Sequence, residues 1–387
     1  MNEPLPLEPP PAEARARPEP RSSARRLLGG LVLSLASALS VPLVLLAFLS
    51  ARVGAPTLLA LCLAGLVASW SAAVAAYARR ARLRRAAAFL FALAWLLPLW
   101  VTLPAAEGPP RLVRDQHLPG HSGGAPWFGG IPEAELVALG SLVGSTQREF
   151  ESTVKPGRFR DHYAEVARDP AAPLRSRTLD AWLCERGHYG LALPPGEGRV
   201  PALVFLHGSA GPFHFYSQTL ARPLTEAGFV LALPTWGWGE WANPAGEARI
   251  AAVHAALAAH PRVDPERIYL AGLSNGAVGA LHAFTRAPQR WRGCAVISGA
   301  PGHELPWENL AGRALWLLSG EGDERMRWSR VKGFATKAEE AGAEVELVGL
   351  DADHFALMSH REEIVRALVK WLRAEASRSE AELSAPR

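Results

Sequence analysis

Three long apolar runs without a single charge dominate the first hundred positions. Residues 27–50, 53–78 and 86–106 number 24, 26 and 21. A helix needs about 20 apolar residues to cross roughly 30 Å of hydrocarbon, so each run is long enough. A signal-peptide core is shorter and stands alone. The pattern therefore predicts a three-helix membrane anchor over 27–106. Pro42, Pro56 and Pro98 are tolerable inside such helices. Residues 1–26, rich in Pro, Glu, Ala and Arg, read as a disordered tail.

The pattern then changes twice. Residues 104–132 are dense in Pro and Gly and read as an irregular linker. Helical spacing follows over 133–153 and, more weakly, over 158–168, so 107–175 forms a linker and helical segment. From about 176 short apolar runs alternate with amphipathic stretches. RTLDAWLCE and YGLALP suggest a strand pair joined around Arg186–His188. Apolar runs at 200–208, 228–234, 267–272, 293–299, 313–320 and 344–350 read as strands. Stretches at 216–227, 246–260, 275–287, 328–341 and 360–376 read as helices. Continuous apolar strands between helices indicate a sheet covered on both faces. The expected fold class is thus α/β, a doubly wound, mostly parallel sheet over 176–375, behind three transmembrane helices. Residues 376–387 read as a second disordered tail.

Charge placement refines this picture. The net charge is +4, but the excess is confined to the first quarter. Residues 1–26 hold five Arg and four Glu, and 27–106 hold six Arg and no acid. The remainder is mildly acidic, which argues against a nucleic-acid partner. Five of those Arg sit in RRARLRR at 79–85. The positive-inside rule then puts the N-terminus and this loop in the cytoplasm, and three crossings put residues 107–387 outside. The expected location is a bacterial inner membrane with the folded domain on the periplasmic side. Apolar residues at 49% and charged residues at 20% exclude a wholly disordered chain. Three cysteines cannot form a disulfide scaffold. Cys62 lies in an apolar run, and Cys184 and Cys294 could pair only if the fold joined them. His117 and His121 lack a supporting carboxylate, so no metal and no cofactor is expected.

Candidate chemistry centres on Gly272-Leu273-Ser274-Asn275-Gly276. This is G-x-S-x-G at a strand-to-helix junction, where a tight turn exposes the serine hydroxyl. The helix N-terminus offers free N–H groups where an oxyanion would form. A serine hydroxyl needs a base, and the base needs an orienting group. Loops at the carboxyl ends of later parallel strands supply both. Asp323 follows 313–320, with Glu321, Asp351 and Asp353 as alternatives for the acid. His354 follows 344–350. His254 and His282 fall inside predicted helices.

Together, Gly272–Gly276, LHGSAG at 206–211, GEGD at 320–323 and DADHF at 351–355 resemble the α/β-hydrolase superfamily. The resemblance is to dienelactone-hydrolase-like, esterase and prolyl-oligopeptidase-type catalytic domains, over about 176–375. It implies Ser274 as nucleophile, Asp323 as acid and His354 as base. The oxyanion would be held by backbone N–H groups of Asn275 and of Ser209, with Gly208 next. His207 reads as structural in that turn. Dienelactone hydrolases themselves carry a cysteine nucleophile, so this chain departs from their pattern.

Trp236 and Trp238, together with Trp241, crowd the loop 234–244 and suggest an apolar wall beside the serine. His303 is a further candidate to line the pocket. The expectation is a membrane-anchored serine hydrolase acting on a small-molecule ester, thioester or amide, or a lipid-like substrate. An acyltransferase using the same triad, or an inactive hydrolase-like scaffold, are the alternatives.

Overall fold

A computed structural model describes residues 20–53, 55–78, 80–102, 112–119, 187–209, 213–302 and 305–384, with isolated positions between 135 and 165. RTLDAWLCE, Cys184, His121, His303 and most of the segment 133–175 lie outside the described residues.

The N-terminal helices are α1 (Pro20–Val53), α2 (Pro56–Tyr77) and α3 (Ala81–Thr102). α1 already begins at Pro20, inside the stretch expected to be a tail. α1 and α2 pack antiparallel. A Cβ at Gly29 would lie 3.2 Å from the Tyr77 ring, the Trp70 indole donates to Ser40 Oγ at 2.9 Å, and Gly65 faces Leu43. Small residues mark the contact, because small side chains let helix backbones approach. Two helices among the described residues, Leu27–Arg52 and Pro56–Tyr77, are long and apolar enough to span a membrane, rather than the three expected. α3 carries Arg82, Arg84 and Arg85 near its start and ends at Thr102. At the start of α2, the amides of Thr57 and Leu58 donate to the Glu135 carboxylate at 3.1 and 2.9 Å. A carboxylate there satisfies donors that a helix end leaves open.

The second unit is built on an eight-stranded sheet in the order β1-β2-β4-β3-β5-β6-β7-β8. The strands are β1 (Val113–His117), β2 (His188–Ala192), β3 (Val200–Leu206), β4 (Val230–Pro234), β5 (Val263–Leu273), β6 (Gly293–Ile297), β7 (Ala314–Gly320) and β8 (Glu344–Leu350). β3 to β8 run parallel, while β2 is antiparallel to both β1 and β4. The α/β reading thus holds: the sheet is mostly parallel, and the antiparallel β2 makes it mixed. β1 corrects the sequence reading: LVRDQH was placed in the irregular linker, yet Val113 is buried and the strand pairs with β2 in register.

Helices α4 (Phe213–Glu226), α5 (Pro244–Ala258), α6 (Asn275–Arg286), α7 (Trp328–Glu340), α8 (Ala356–Ser359) and α9 (Arg361–Ser384) complete the unit. α9 runs to Ser384, through the region expected to be a disordered tail. Its Ala, Glu and Arg content explains the difference, since these residues favour helix over coil. α5 starts where Asn243 Oδ1 accepts from Gly246 N at 2.7 Å, with Pro244 in the first turn.

Alternation along the strands sorts the core into two layers. Leu203 and Phe205 of β3 pack with Phe215, Leu220, Leu224, Ile364, Leu368 and Trp371, under α4 and α9. Their neighbours Ala202, Val204 and Leu206 pack with Val253, Leu257, Leu281, Phe284, Val331 and Phe334, under α5, α6 and α7. Cys294 is a free thiol buried in β6, and burial pushes its pKa up. The carboxyl ends of β3, β4, β5, β7 and β8 leave their loops at one edge of this framework.

Candidate active site

β5 delivers Ser274. The turn into α6 holds it at φ 53° and ψ −115°, a left-handed region that a serine enters only under constraint. The constraint is close packing. A Cβ at Gly272 would stand 2.2 Å from Gly276 O, and one at Gly276 would stand 2.2 Å from Leu206 O. Only glycine fits either position, and the Ser274 amide is fixed by donating to Ile297 O at 2.9 Å.

β7 and β8 deliver the other two groups. The turn after β7 locks to the loop after β8: Glu321 N donates to Leu350 O and Gly322 N to Ala352 O. Asp323 is 3% exposed. Its Oδ1 accepts from the amides of Arg325 and Met326 at 2.9 and 2.8 Å, which leaves Oδ2 for His354 Nδ1 at 2.8 Å. His354 Nε2 lies 2.9 Å from Ser274 Oγ. A hydroxyl, an imidazole and a carboxylate from three loops thus form one unbroken hydrogen-bonded row. Asp353 was an alternative acid, and its Oδ1 instead accepts from Phe355 N.

The fold is that of an α/β-hydrolase. Mixed sheet order, parallel central strands and a serine on a strained elbow after β5 together define it. No family model and no curated protein matches the sequence. Among solved structures, one of two fungal esterases from Rhizomucor miehei is 18% identical, over 49% of this chain and 80% of that chain, with a TM-score of 0.44. An S-formylglutathione hydrolase from Agrobacterium tumefaciens is 15% identical, over 49% and 90%, with a TM-score of 0.39. An acylaminoacyl peptidase from Pyrococcus horikoshii is 14% identical, over 49% and 39%, with a TM-score of 0.42. Such distant likenesses fix no chemistry; the hydrogen bonds above define what the α/β-hydrolase unit here can do.

The loop after β3 lies against Ser274, since a Cβ at Gly208 would sit 3.5 Å from Ser274 Cβ. Three contacts pin it. His207 Nδ1–H donates to Gly208 O at 2.7 Å, His207 Nε2 accepts from Trp236 N at 3.2 Å, and the Trp241 indole donates to His207 O at 2.9 Å. Burial lowers the His207 pKa to about 4, so the ring stays neutral and keeps both roles. Gly208 N donates to Tyr216 Oη at 3.4 Å, and burial pushes that phenol up to about 12. Sequence reasoning labelled His207 structural without finding this latch, because its partners come from the loop after β4.

The three tryptophans of that loop part company. Trp241 is fully buried, Trp236 is half-buried under the Arg249 guanidinium at 5.3 Å, and Trp238 is 57% exposed. A cavity of about 660 Å³ between α4 and α9 is lined by Ala221, Arg222, Val365 and Arg373 and by none of the three aligned residues. Among the described residues no group of three His, Cys, Asp or Glu side chains is placed to hold a metal.

Proposed function

We propose that this chain is a membrane-anchored serine hydrolase that cleaves an ester, thioester or amide through an acyl-enzyme. The unbroken row from Ser274 through His354 to Asp323 carries this reading. Ser274 Oγ attacks the carbonyl carbon while its proton passes to His354 Nε2. The carbonyl π electrons move onto oxygen, facing the backbone N–H groups of Asn275 and Ser209. His354 then protonates the leaving group, and the C–O, C–S or C–N bond breaks. A water molecule, deprotonated by His354, attacks the acyl carbon and releases Ser274. Asp323 stays ionised and holds the imidazole in the tautomer that presents Nε2 to the serine. Trp236 and Trp238 are the proposed apolar wall for a small ester or lipid-like acyl group.

The anchor reading includes a third crossing by α3. Glu135 caps the start of α2, so residues 57 and 135 share one side of the membrane. Once α2 has crossed, only a return through α3 brings the chain back to that side. Arginine placement makes it the outer, periplasmic side. A reporter such as alkaline phosphatase fused after residue 387 is expected to be active outside the cytoplasm. Cytoplasmic activity would reverse the orientation.

A fluorophosphonate probe applied to the detergent-solubilised full chain tests the chemistry. Peptide mapping is expected to find the label on Ser274, lost in His354→Ala. Asp323→Asn is expected to lower kcat by about 10⁴ on a 4-nitrophenyl ester. A folded chain that takes no label would leave the hydrolase reading without support.

A further inference from the structure

The cavity of about 660 Å³ between α4 and α9 is lined by none of the residues given a chemical role above. Its volume falls within the range of small-molecule pockets, about 300–1,000 Å³. Its floor is apolar. Val113, Ala221 and Val365 are buried there, and Val369 is half-buried. Leu112 lines it too and is 46% exposed.

The walls are charged, with guanidinium groups of Arg222, Arg361, Arg366 and Arg373 against three carboxylates. Arg361 donates to the Glu165 carboxylate at 3.0 Å. The other three arginines have no carboxylate in ion-pair reach among the described residues. Arg366 Nε and Arg373 Nη2 reach only the backbone carbonyls of Glu362 and Glu226, each at a long 3.5 Å. Glu226 and Glu362 are exposed, and Glu362 lies in the first turn of α9, where a carboxylate suits the open N–H groups of the helix.

The two helices run the same way, from the carboxyl edge of the sheet to its amino edge. Tyr216, early in α4, stacks on His207 beyond the end of β3, and Trp371, later in α9, lies against Gly293 at the start of β6. Arg373 touches Glu226 O. Arg222, one turn before Glu226, is therefore level with Val369, one turn before Arg373. The three arginines without a carboxylate are gathered within about one helical turn of Val369.

We propose that this groove binds an amphiphile with an anionic head, its carboxylate or phosphate on Arg222, Arg366 and Arg373 and its alkyl chain along Val113, Ala221 and Val365. Guanidinium forks match the paired oxygens of either head. The chain gains by leaving water over the apolar floor. An inorganic anion would leave that floor wet, and an uncharged chain would leave the arginines without a counter-ion. The site stands apart from the hydrolase reading, since no member of the aligned row touches it.

The test uses the full chain in phosphatidylcholine nanodiscs and a twelve-carbon alkyl carboxylate with a terminal diazirine. After irradiation, peptide mapping is expected to find the label on residues 217–227 and 361–373. Dodecanoate and dodecyl phosphate should both compete, and the one effective at lower concentration identifies the preferred head. Dodecyltrimethylammonium and inorganic phosphate at the same concentrations should not. Arg222→Glu combined with Arg366→Glu should cut this labelling by about tenfold or more, because each replaces a charge-assisted contact by repulsion. Both positions are exposed, so the melt and the turnover of 4-nitrophenyl butyrate should match wild type. If the double variant fails to melt cooperatively, Arg222→Gln alone carries the test, with a loss of about threefold or more. Label confined to residues 20–102 overturns the proposal. So does competition by dodecyltrimethylammonium equal to that by dodecanoate, or labelling of a folded charge-reversed variant at the wild-type level.

Discussion

The helical unit and the sheet unit invert each other's packing. In α1–α3 the buried positions are mostly small, among them Ala36, Ala47, Ala73 and Ala87, while Leu31, Val41, Leu63 and Phe89 face outward. In the sheet unit the fully buried residues are large, led by Trp241, Trp316, Tyr269 and Phe205. Of the large exposed apolar side chains among the described residues, only Leu112, Val154 and Trp238 lie beyond residue 96. The same amino acids thus sit on opposite sides of their elements. Water drives large apolar groups inward. Lipid tails are as apolar as leucine, so helices packed there gain from close backbone approach instead. The contrast is the physical argument behind the proposed membrane anchor.

The sharpest way to probe it compares two glycines. Gly276→Ala would force a Cβ to 2.2 Å from Leu206 O, backbone that cannot swing aside. A loss above about 4 kcal/mol is expected, seen as failure to melt cooperatively. Gly65→Ala would meet only the flexible Leu43 tip at 3.4 Å. It is expected to change stability by less than about 1 kcal/mol. Equal outcomes would erase the contrast.

Next in size is Val41→Arg. Val41 is 74% exposed, a position where a water-facing helix would accept arginine freely. In a bilayer the substitution costs about 2.5–3.5 kcal/mol of insertion free energy. Alkaline extraction of membranes measures it, and full retention of the variant would break the lipid assignment of α1.

A pH effect of similar or smaller size belongs to the sheet unit. His207 is held neutral, with its pKa lowered from 6.5 to about 4 by burial. Between those values the unfolded chain takes up a proton that the folded chain refuses. Stability from this residue is therefore complete above about pH 6.5 and falls as pH drops towards 4, by up to about 3 kcal/mol. Burial lowers His254 as well, with the same sign. Denaturant melts at pH 7.5 and 5 for wild type and His207→Gln isolate the first residue: the variant should show the shallower fall.

The smallest effect is expected at Trp238. Its exposed indole contributes little to the core, so Trp238→Ser should alter stability by about 0.5 kcal/mol or less. Any larger change would come from ester turnover, where the side chain is proposed to contact substrate.

Much of this was readable from sequence because each aligned residue ends an apolar strand. Ser274 follows β5, Asp323 follows β7 and His354 follows β8, and parallel strands carry all three to one edge. The legible signal was local. What escaped it was local disorder of pattern or distant pairing. β1 is five residues long and borders a Pro- and Gly-rich stretch, so it shows no period of its own. It is a strand because β2 offers an edge. The His207 latch joins loops about 30 residues apart, and the two amides that fix Asp323 are backbone groups, which no residue pattern reveals. The end of α9 was misjudged because polar composition resembles a tail until a helix already packed against the sheet extends it.

The early position of β1 has a consequence for how the sheet closes. His117 pairs with His188, 71 positions further along the chain. That edge of the sheet therefore closes only by joining distant stretches, an entropic cost that the neighbouring parallel strands, linked by single helices, meet in smaller steps.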